Sequence, residues 1–316
     1  RDRSILKRKG KLKMAMVKNR STGSRIFNVC NIAFFALVMI VCILPVWHVF
    51  CASFSNASWV MNQRGLIWHI EGFTFNGYQL VFNDNSIWTG YLNTFIYVIG
   101  TTVLGMFLTV MAAYALSRKD FIWANPLMLI ISFTMLFSGG IVTLYILVTQ
   151  TLNMYDSRWA LILPSCMSAF YLILVRTAMQ NVPESLEESA MLDGAGRFTI
   201  LFRIMLPLIK ATLATVILYY VIGNWNSWFN AMIYIRSEDK KPLQLILKEL
   251  LVDTNNSSNS NVDISVLASG EGGDAVLYKQ LMKYCTIMVS TVPMFIFYPF
   301  IQKYFESGVM IGAIKG

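Results

Sequence analysis

The sequence is short of charge. Of 316 residues, 14% are Asp, Glu, Lys or Arg, against roughly 25% in an ordinary soluble domain. Six stretches contain none: Ile26–Gln63, Asn85–Ser117, Phe121–Tyr155, Trp159–Val175, Ala211–Ile235 and Tyr284–Gln302. That pattern excludes a soluble globular class. The absence of any Asp, Glu or Lys inside these stretches also argues against a proton- or ion-coupled carrier, which needs such groups at mid-membrane. Histidine is nearly missing too. His48 and His69 stand alone, so a metal site has no ligand cluster to build on. The five cysteines, Cys30, Cys42, Cys51, Cys166 and Cys285, form no Cys-x-x-Cys pair. They read as small core residues, not as a disulfide or metal framework. No Gly-x-x-x-x-Gly-Lys-Ser/Thr occurs, and the glycine-rich Gly270-Glu271-Gly272-Gly273-Asp274 lacks the lysine. The chain is therefore not expected to hydrolyse ATP or to hold a cofactor of its own. Nor does any cluster of nucleophile, base or metal ligands occur in the apolar stretches to suggest a membrane-embedded enzyme.

What is present is hydrocarbon, 56% of residues being hydrophobic. Each charge-free stretch is near or above the length that spans a bilayer, roughly 17–25 residues. The expectation is an all-α membrane protein with six transmembrane helices. Their approximate limits are Ile26–Ser53, Trp88–Leu116, Ile122–Leu147, Trp159–Met179, Leu208–Ile235 and Leu281–Phe305. Ser138-Gly139-Gly140 should kink the third, and Pro164 should bend the fourth. Arg176 lies just past the shortest stretch and can snorkel toward the headgroups. If the spans alternate, 18 of the 26 Lys and Arg fall on one side and 8 on the other. By the positive-inside rule both termini are then cytosolic. The tract Lys7-Arg8-Lys9-Gly10-Lys11-Leu12-Lys13 suits anionic lipid at the bilayer surface, not nucleic acid. The first span, too long for a cleavable signal peptide, should serve as its own signal. The expected organisation is a basic arm over 1–25, one membrane domain over 26–305 and a short tail over 306–316.

The most informative segment lies between Pro183 and Pro207. Pro183 suits a helix start, and Glu184, Glu187 and Glu188 suit the positive end of its dipole. Gly194 and Gly196 permit a sharp corner. Phe198, Ile200, Leu201 and Phe202 then offer apolar contact to the following helix. The result is an L-shaped cytosolic elbow between two spans. With Glu188-Ser189-Ala190, Gly194 and Ile204-Met205-Leu206-Pro207, this segment resembles the EAA loop of ABC importer permeases. Ser189 stands where that family has Ala, and Lys210 lies near where relatives often carry Pro.

The resemblance extends to the whole chain. Leu161-Ile162-Leu163-Pro164, Asn224-Trp225-Asn226-Ser227-Trp228, the Ala112–Arg118 run and the closing Gly308–Gly316 are similar to MalG-like permeases of class 1 carbohydrate uptake transporters. The branch that imports oligosaccharides and polysaccharide fragments is the nearest likeness. It implies a permease subunit in a bacterial cytoplasmic membrane, with a type I importer fold. It further implies a sister permease as heterodimer partner, two ABC ATPase subunits that bind ATP and Mg, and an extracytoplasmic solute-binding lipoprotein. By the same resemblance Glu187, Glu188, Ser189, Ala190, Asp193, Gly194 and Ala195 would seat in a cleft of the ATPase. Leu192, Phe198 and Leu206 would hold the elbow to the rest of the permease, and the terminal tail would reach between the ATPases.

Two further regions carry candidate sites. In the fifth span Tyr219, Gly223, Asn226 and Asn230 recur at helical spacing, and Tyr220, Asn224 and Trp228 form a neighbouring stripe. Rings beside amides suit a carbohydrate, which stacks its C–H faces and shares its hydroxyls. The same residues equally suit polar glue between helices. Arg236–Gln280 reads as an external loop. Its polar middle, Asp253–Asn261, should be mobile, and Asn255, Asn256, Asn259 and Asn261 would contact the receptor. A permease for amino acids, peptides or polyamines would share the elbow, so the solute class stays open at this point.

Overall fold

The computed structural model describes residues 22–63, 65–137, 139–259 and 281–299; at Arg25 and over 253–259 it describes backbone alone. Among these residues all regular structure is helical. Helix α1 covers Thr22–Phe54, and the short α2 (Ala57–Asn62) and α3 (Asn76–Asn83) fold over its C-terminal end. There the isolated His48 finds a structural use, its Nδ1 accepting Ile67 N–H at 2.9 Å. From Ile26 to Trp47 almost every apolar side chain of α1 is exposed, and burial begins only around Cys51–Ser53.

Helix α4 (Asn85–Ser117) is the spine. Its 33 residues run unbroken for about 50 Å at 1.5 Å per residue. Asp84 caps the first turn, its carboxylate accepting Ser86 N–H at 2.8 Å. Gly90, Thr94, Tyr97, Thr101, Gly105 and Thr109 recur every three or four residues and are all buried. Small residues in such a stripe let neighbouring backbones close in. A Cβ on Gly105 would lie 2.6 Å from the Cys166 carbonyl oxygen and 2.8 Å from the Tyr220 ring.

The helices around the spine are interrupted. Helix α5 (Ala124–Leu136) and the segment formed by α6 (Gly140–Ile146) with a π turn (Leu147–Thr151) diverge by 113°. Gly140 supplies the corner at φ +78°, so the expected kink there is a full break. Helices α7 (Trp159–Ser165) and α8 (Ala169–Gln180) meet at 45° just after Pro164. The next interruption corrects the expected continuous helix over 208–235. Helix α12 (Lys210–Trp225) ends, and α13 (Phe229–Tyr234) starts beyond the Asn226-Ser227-Trp228 turn. The Asn224 and Asn226 side chains donate to the carbonyls of Tyr220 (2.8 Å) and Ile222 (3.0 Å). These local bonds compete with continued helix.

Before α12 come α9 (Glu184–Leu192), α10 (Arg197–Ile200), a π turn (Leu201–Met205) and α11 (Leu206–Leu208), the stretch from Arg197 to Leu208 lying at 83° to α12. After α13 a 3₁₀ turn (Glu238–Lys240) leads into α14 (Leu243–Asn259), and α15 covers Leu281–Pro299. By length and composition α1, α4 and α15 can each cross a bilayer alone. The pairs α5 with α6, α7 with α8, and Arg197–Leu208 with α12 pass the same test only when each is taken together.

The interior has two main parts, and the helix breaks divide them. One packs Val110 and Ala113 of α4 against Leu172, Val175, Ile200, Leu201, Val216 and Tyr220. The other packs Tyr97 of α4 against Ala160–Ile162 of α7, Ala231 and Tyr234 of α13, and Leu245 of α14. Gly105 sits where they meet. Overpacking a tight crossing costs about 1–3 kcal/mol. Gly105→Ala should therefore lower the thermal midpoint of the detergent-solubilised protein by several degrees. Gly223→Ala, inside α12 with nothing within 4 Å of its added carbon, should not lower that midpoint and should raise it slightly, since alanine favours helix over glycine by up to about 1 kcal/mol.

Candidate coupling elbow and pathway

The elbow closes on glycine. The C-cap of α9 is Asp193, and Gly194 follows at φ +81°. Gly194 N–H donates to Met191 O at 3.0 Å and Ala195 N–H to Ala190 O at 2.9 Å. This pair of bonds is a Schellman motif, which satisfies the last carbonyls of α9 and turns the chain. Gly196 is different: at φ −71° it N-caps α10 in extended conformation, so the corner needs one glycine, not two.

Three ion pairs and one hydrogen bond moor the elbow to the turn after α4. Arg118 pairs with Glu187, and Lys119 with Glu184; Arg197 Nη2 donates to Asp120 at 2.7 Å. The Arg197 bond holds the Asp120 carboxyl below its ordinary value. Tyr114 OH donates to Arg197 O at 3.0 Å, and the Arg118 guanidinium lies 4.0 Å over the Tyr114 ring. A cavity of about 350 Å³ separates the two walls, lined by Arg118, Gln180, Glu187 and Met191 among others. Ile200 and Leu201 are fully buried beneath, each contributing on the order of 2 kcal/mol. Leu192 (90% exposed) and Phe198 (66% exposed) do not hold the elbow as expected, and Leu206 packs at the core margin.

The expected coupling residues divide between two faces. Glu187 turns inward to Arg118, and Ala190 and Ala195 pack at the margin of the chain's own core. Ser189, Asp193 and Gly194 are exposed on the outer side with bare Leu192 among them, while Glu188, also exposed, lines the cavity beside Arg118.

The pathway stripes are corrected by the break after Trp225. Tyr220 is interior: its hydroxyl donates to Cys166 O at 2.9 Å and shares a 3.0 Å bond with Thr109. It joins helices and faces no open space. Tyr219 is half-buried and stacks on Tyr171 at 5.8 Å. Asn224 is half-buried, and Asn226 and Trp228 are exposed around the break.

At the far end of α4, sequence reasoning missed a polar hub. Asp156 takes φ +55°, a left-handed conformation that Asp tolerates. Its Oδ1 accepts the N–H groups of Arg236 and Ser237 at 3.0 Å each, and its Oδ2 accepts the Ser237 hydroxyl. These donors push its carboxyl far below the usual range. Lys240 Nζ donates to Asp156 O at 2.7 Å, and Asp156 N–H to Tyr234 O at 2.9 Å. On α4, Asn93 Nδ2 donates to Asp239 O (2.7 Å) and Lys241 O (3.1 Å), while its Oδ1 accepts from Arg158. Tyr97 OH donates to Lys240 O at 2.7 Å, and Thr94 Oγ1 accepts Leu243 N–H at 2.9 Å. Asn93-Thr94 was a visible polar pair, but its partners lie some 150 residues away. Nor is the external stretch loose at its start: Leu243, Leu245, Ile246 and Leu247 are buried. Residues 253–259, expected to be mobile, continue helix α14; Asn255, Asn256 and Asn259 lie on it, while Asn261 falls outside the described residues.

An unbroken spine, broken neighbours and a moored elbow together suit a membrane transport permease. Residues 105–235 match the family described as binding-protein-dependent transport system inner membrane component. The chain is 38% identical over 294 residues to the polygalacturonan/rhamnogalacturonan transport system permease protein YtcP of Bacillus subtilis, covering 93% of this chain and 99% of that one. It is 35% identical to the Protein LplC of the same organism (94% and 98%), and 28% identical to its arabinooligosaccharides transport system permease protein AraQ (92% and 98%). A crystal structure of a bacterial ABC transporter involved in the import of the acidic polysaccharide alginate contains a chain of TM-score 0.78 and 31% identity. That match covers 90% of this chain and 98% of that one. The chain belongs to this family of ABC importer permeases, membrane subunits that are not themselves catalytic.

Removing Glu187 leaves the largely buried Arg118 without its countercharge, and Arg118 Nε and Nη2 already lack hydrogen-bond partners. Stranding a buried charge costs up to roughly 3–5 kcal/mol. Glu187→Ala should therefore raise amide exchange across α9 and lower the melting temperature. Asp120→Asn, in an exposed pair worth at most about 1 kcal/mol, should change neither appreciably.

Proposed function

We propose that this chain is the six-span permease subunit of an ATP-driven importer for carbohydrate, with both termini cytosolic. The observation that carries the reading is the elbow, anchored to its own chain on one face and bare on the other. Its outward face presents Ser189, Asp193 and Gly194 around an exposed leucine, and Glu188 is exposed at the cavity beside them. Leu186, Met191 and Phe198 are exposed on or beside the elbow as well as Leu192, apolar surface that supports a protein contact there, and ATPase subunits that bind ATP and Mg are the proposed occupants. With alternating spans the sided charge, 18 Lys and Arg against 8, supports a cytosolic elbow. In this reading 1–25 is a basic cytosolic arm, 26–305 the transmembrane domain with its coupling loop 183–207 and external loop 236–280, and 306–316 a cytosolic tail.

A sister permease completes the pathway, and an extracytoplasmic solute-binding lipoprotein delivers solute to the external loop. Tyr219, Asn224, Asn226 and Trp228 line the pathway around the α12–α13 break, where freed backbone and amide groups can meet sugar hydroxyls. The solute is an oligosaccharide, a reading supported by relatives named for polygalacturonan, rhamnogalacturonan and arabinooligosaccharides. Screening the cognate receptor against a glycan library, then measuring receptor-stimulated ATPase of the assembled complex, tests it. A receptor selective for amino acids, peptides or polyamines would overturn the carbohydrate reading.

The coupling role has its own check. Gly194 has nothing within 4 Å of where a Cβ would stand, so a side chain there meets no wall of this chain. Left-handed backbone costs a non-glycine residue about 1–2 kcal/mol. Gly194→Asp should lower stability by no more than that, yet reduce receptor-stimulated ATPase and uptake roughly tenfold. Uptake at the unsubstituted rate would remove the elbow from the coupling route.

A further inference from the structure

Among the described residues the two packed interiors share only α4 as an uninterrupted element. Every other helix that enters both regions is broken between them. The far interior therefore has the makings of a body that moves as a unit. Its helices alone would hold it loosely, because α7 and α13 are seven and six residues long. The polar hub supplies the missing rigidity, and Asp156 is its centre. This one residue ties the turn before α7 to the segment after α13 through both carboxylate oxygens, its N–H and its carbonyl. The segment it grips, Arg236–Lys241, is in turn bonded to Asn93 and Tyr97 of the spine. Helix α14 leaves directly from that segment. Lys241 is buried and pairs with Glu238 and with Glu249 on α14, at 2.7 and 2.9 Å. On Gly90 an added Cβ would stand 2.7 Å from Ile246 Cδ1 and 3.1 Å from Leu243 Cα. The first turns of α14 are thus fixed to the hub and the spine, and only later does the helix reach the surface.

We propose that Asp156 is a positioning residue that locks the external arm, from Arg236 through α14, to the far halves of the fourth and fifth spans. A receptor docked on the arm then moves α7 and α13 together against α8 and α12. The inference rests on the importer reading given above and adds the residue through which the receptor acts. Motion concentrates at the Pro164–Ser168 and Asn226–Trp228 breaks, since each opens a helix next to the hub-bound body. In this reading Asp156 contacts neither solute nor ATPase, and the elbow lies toward the opposite end of α4, roughly 37 Å away along the helix from Asn93 to Arg118 at 1.5 Å per residue. Loosening the hub should accordingly spare the elbow.

The test uses the assembled complex and two independent readouts. In the first, hydrogen exchange is followed in Asp156→Ala and Asp156→Asn. Asp156→Ala should speed exchange over 236–250 and leave 184–209 unchanged. Asp156→Asn, which keeps one acceptor oxygen but loses the charge toward Lys240, should fall between. In the second, ATPase is measured with and without receptor. Asp156→Ala should keep the receptor-free rate and lose receptor stimulation by about fivefold or more. A loosened arm with full receptor stimulation overturns the proposal. So does unaltered exchange over 236–250, or an equal fall of both ATPase rates. A complex whose unsubstituted form shows no receptor response overturns the importer reading instead, and the exchange arm then decides the lock on its own.

Discussion

Inside a bilayer no water is available to a backbone group that loses its helical partner. That constraint organises this structure, because three helices that pass beside α4 are broken along their length. Each break frees carbonyls and N–H groups that must be met from within the protein. The clearest case is the Cys166 carbonyl, opened by the α7–α8 break and met by the Tyr220 hydroxyl. The same hydroxyl reaches Thr109 on the spine. This arrangement needs α12 and α4 at close range, and Gly105 provides that range. Breaks, small-residue stripe and buried tyrosine are one solution to one problem.

The polar atoms of the spine divide accordingly. Its central part carries Thr109, bonded to the tyrosine that meets the α7–α8 break. Its far end carries Asn93, Thr94 and Tyr97, which bind main-chain atoms of the strap leading from α13 to α14. Its elbow end carries Tyr114, bonded to the carbonyl of Arg197. One helix thus holds three separate pieces of irregular chain, in each case through a side chain bonded to another segment.

Much of this architecture was legible in the sequence. Charge-free windows located every long apolar helix among the described residues, and the glycine after Asp193 announced the elbow corner. Two kinds of feature were hidden. Apolar periodicity is blind to a break that costs no apolar residue, so the Asn226–Trp228 interruption read as continuous helix and Tyr220 as a pathway residue. Long-range polar partners were equally invisible. Asp156, Arg158, Lys240 and Lys241 looked like ordinary charges flanking spans, although Asp156 joins segments some 80 residues apart. The inward turn of Glu187 was concealed for a related reason. Sequence gives the face of a short helix only relative to itself, and Arg118 lies 69 positions earlier.

Helix α1 has a consequence for any experiment on the subunit taken by itself. Between Ile26 and Trp47 it touches almost nothing of the other described residues, and its burial against them begins only near Cys51. Its direction is therefore held by the described fold at one end only, and along most of its length by the surrounding medium and whatever lies alongside. A mutational survey scored on the solitary polypeptide would be silent along six turns of hydrocarbon-coated rod. Information stored in those side chains becomes readable only once neighbours are supplied.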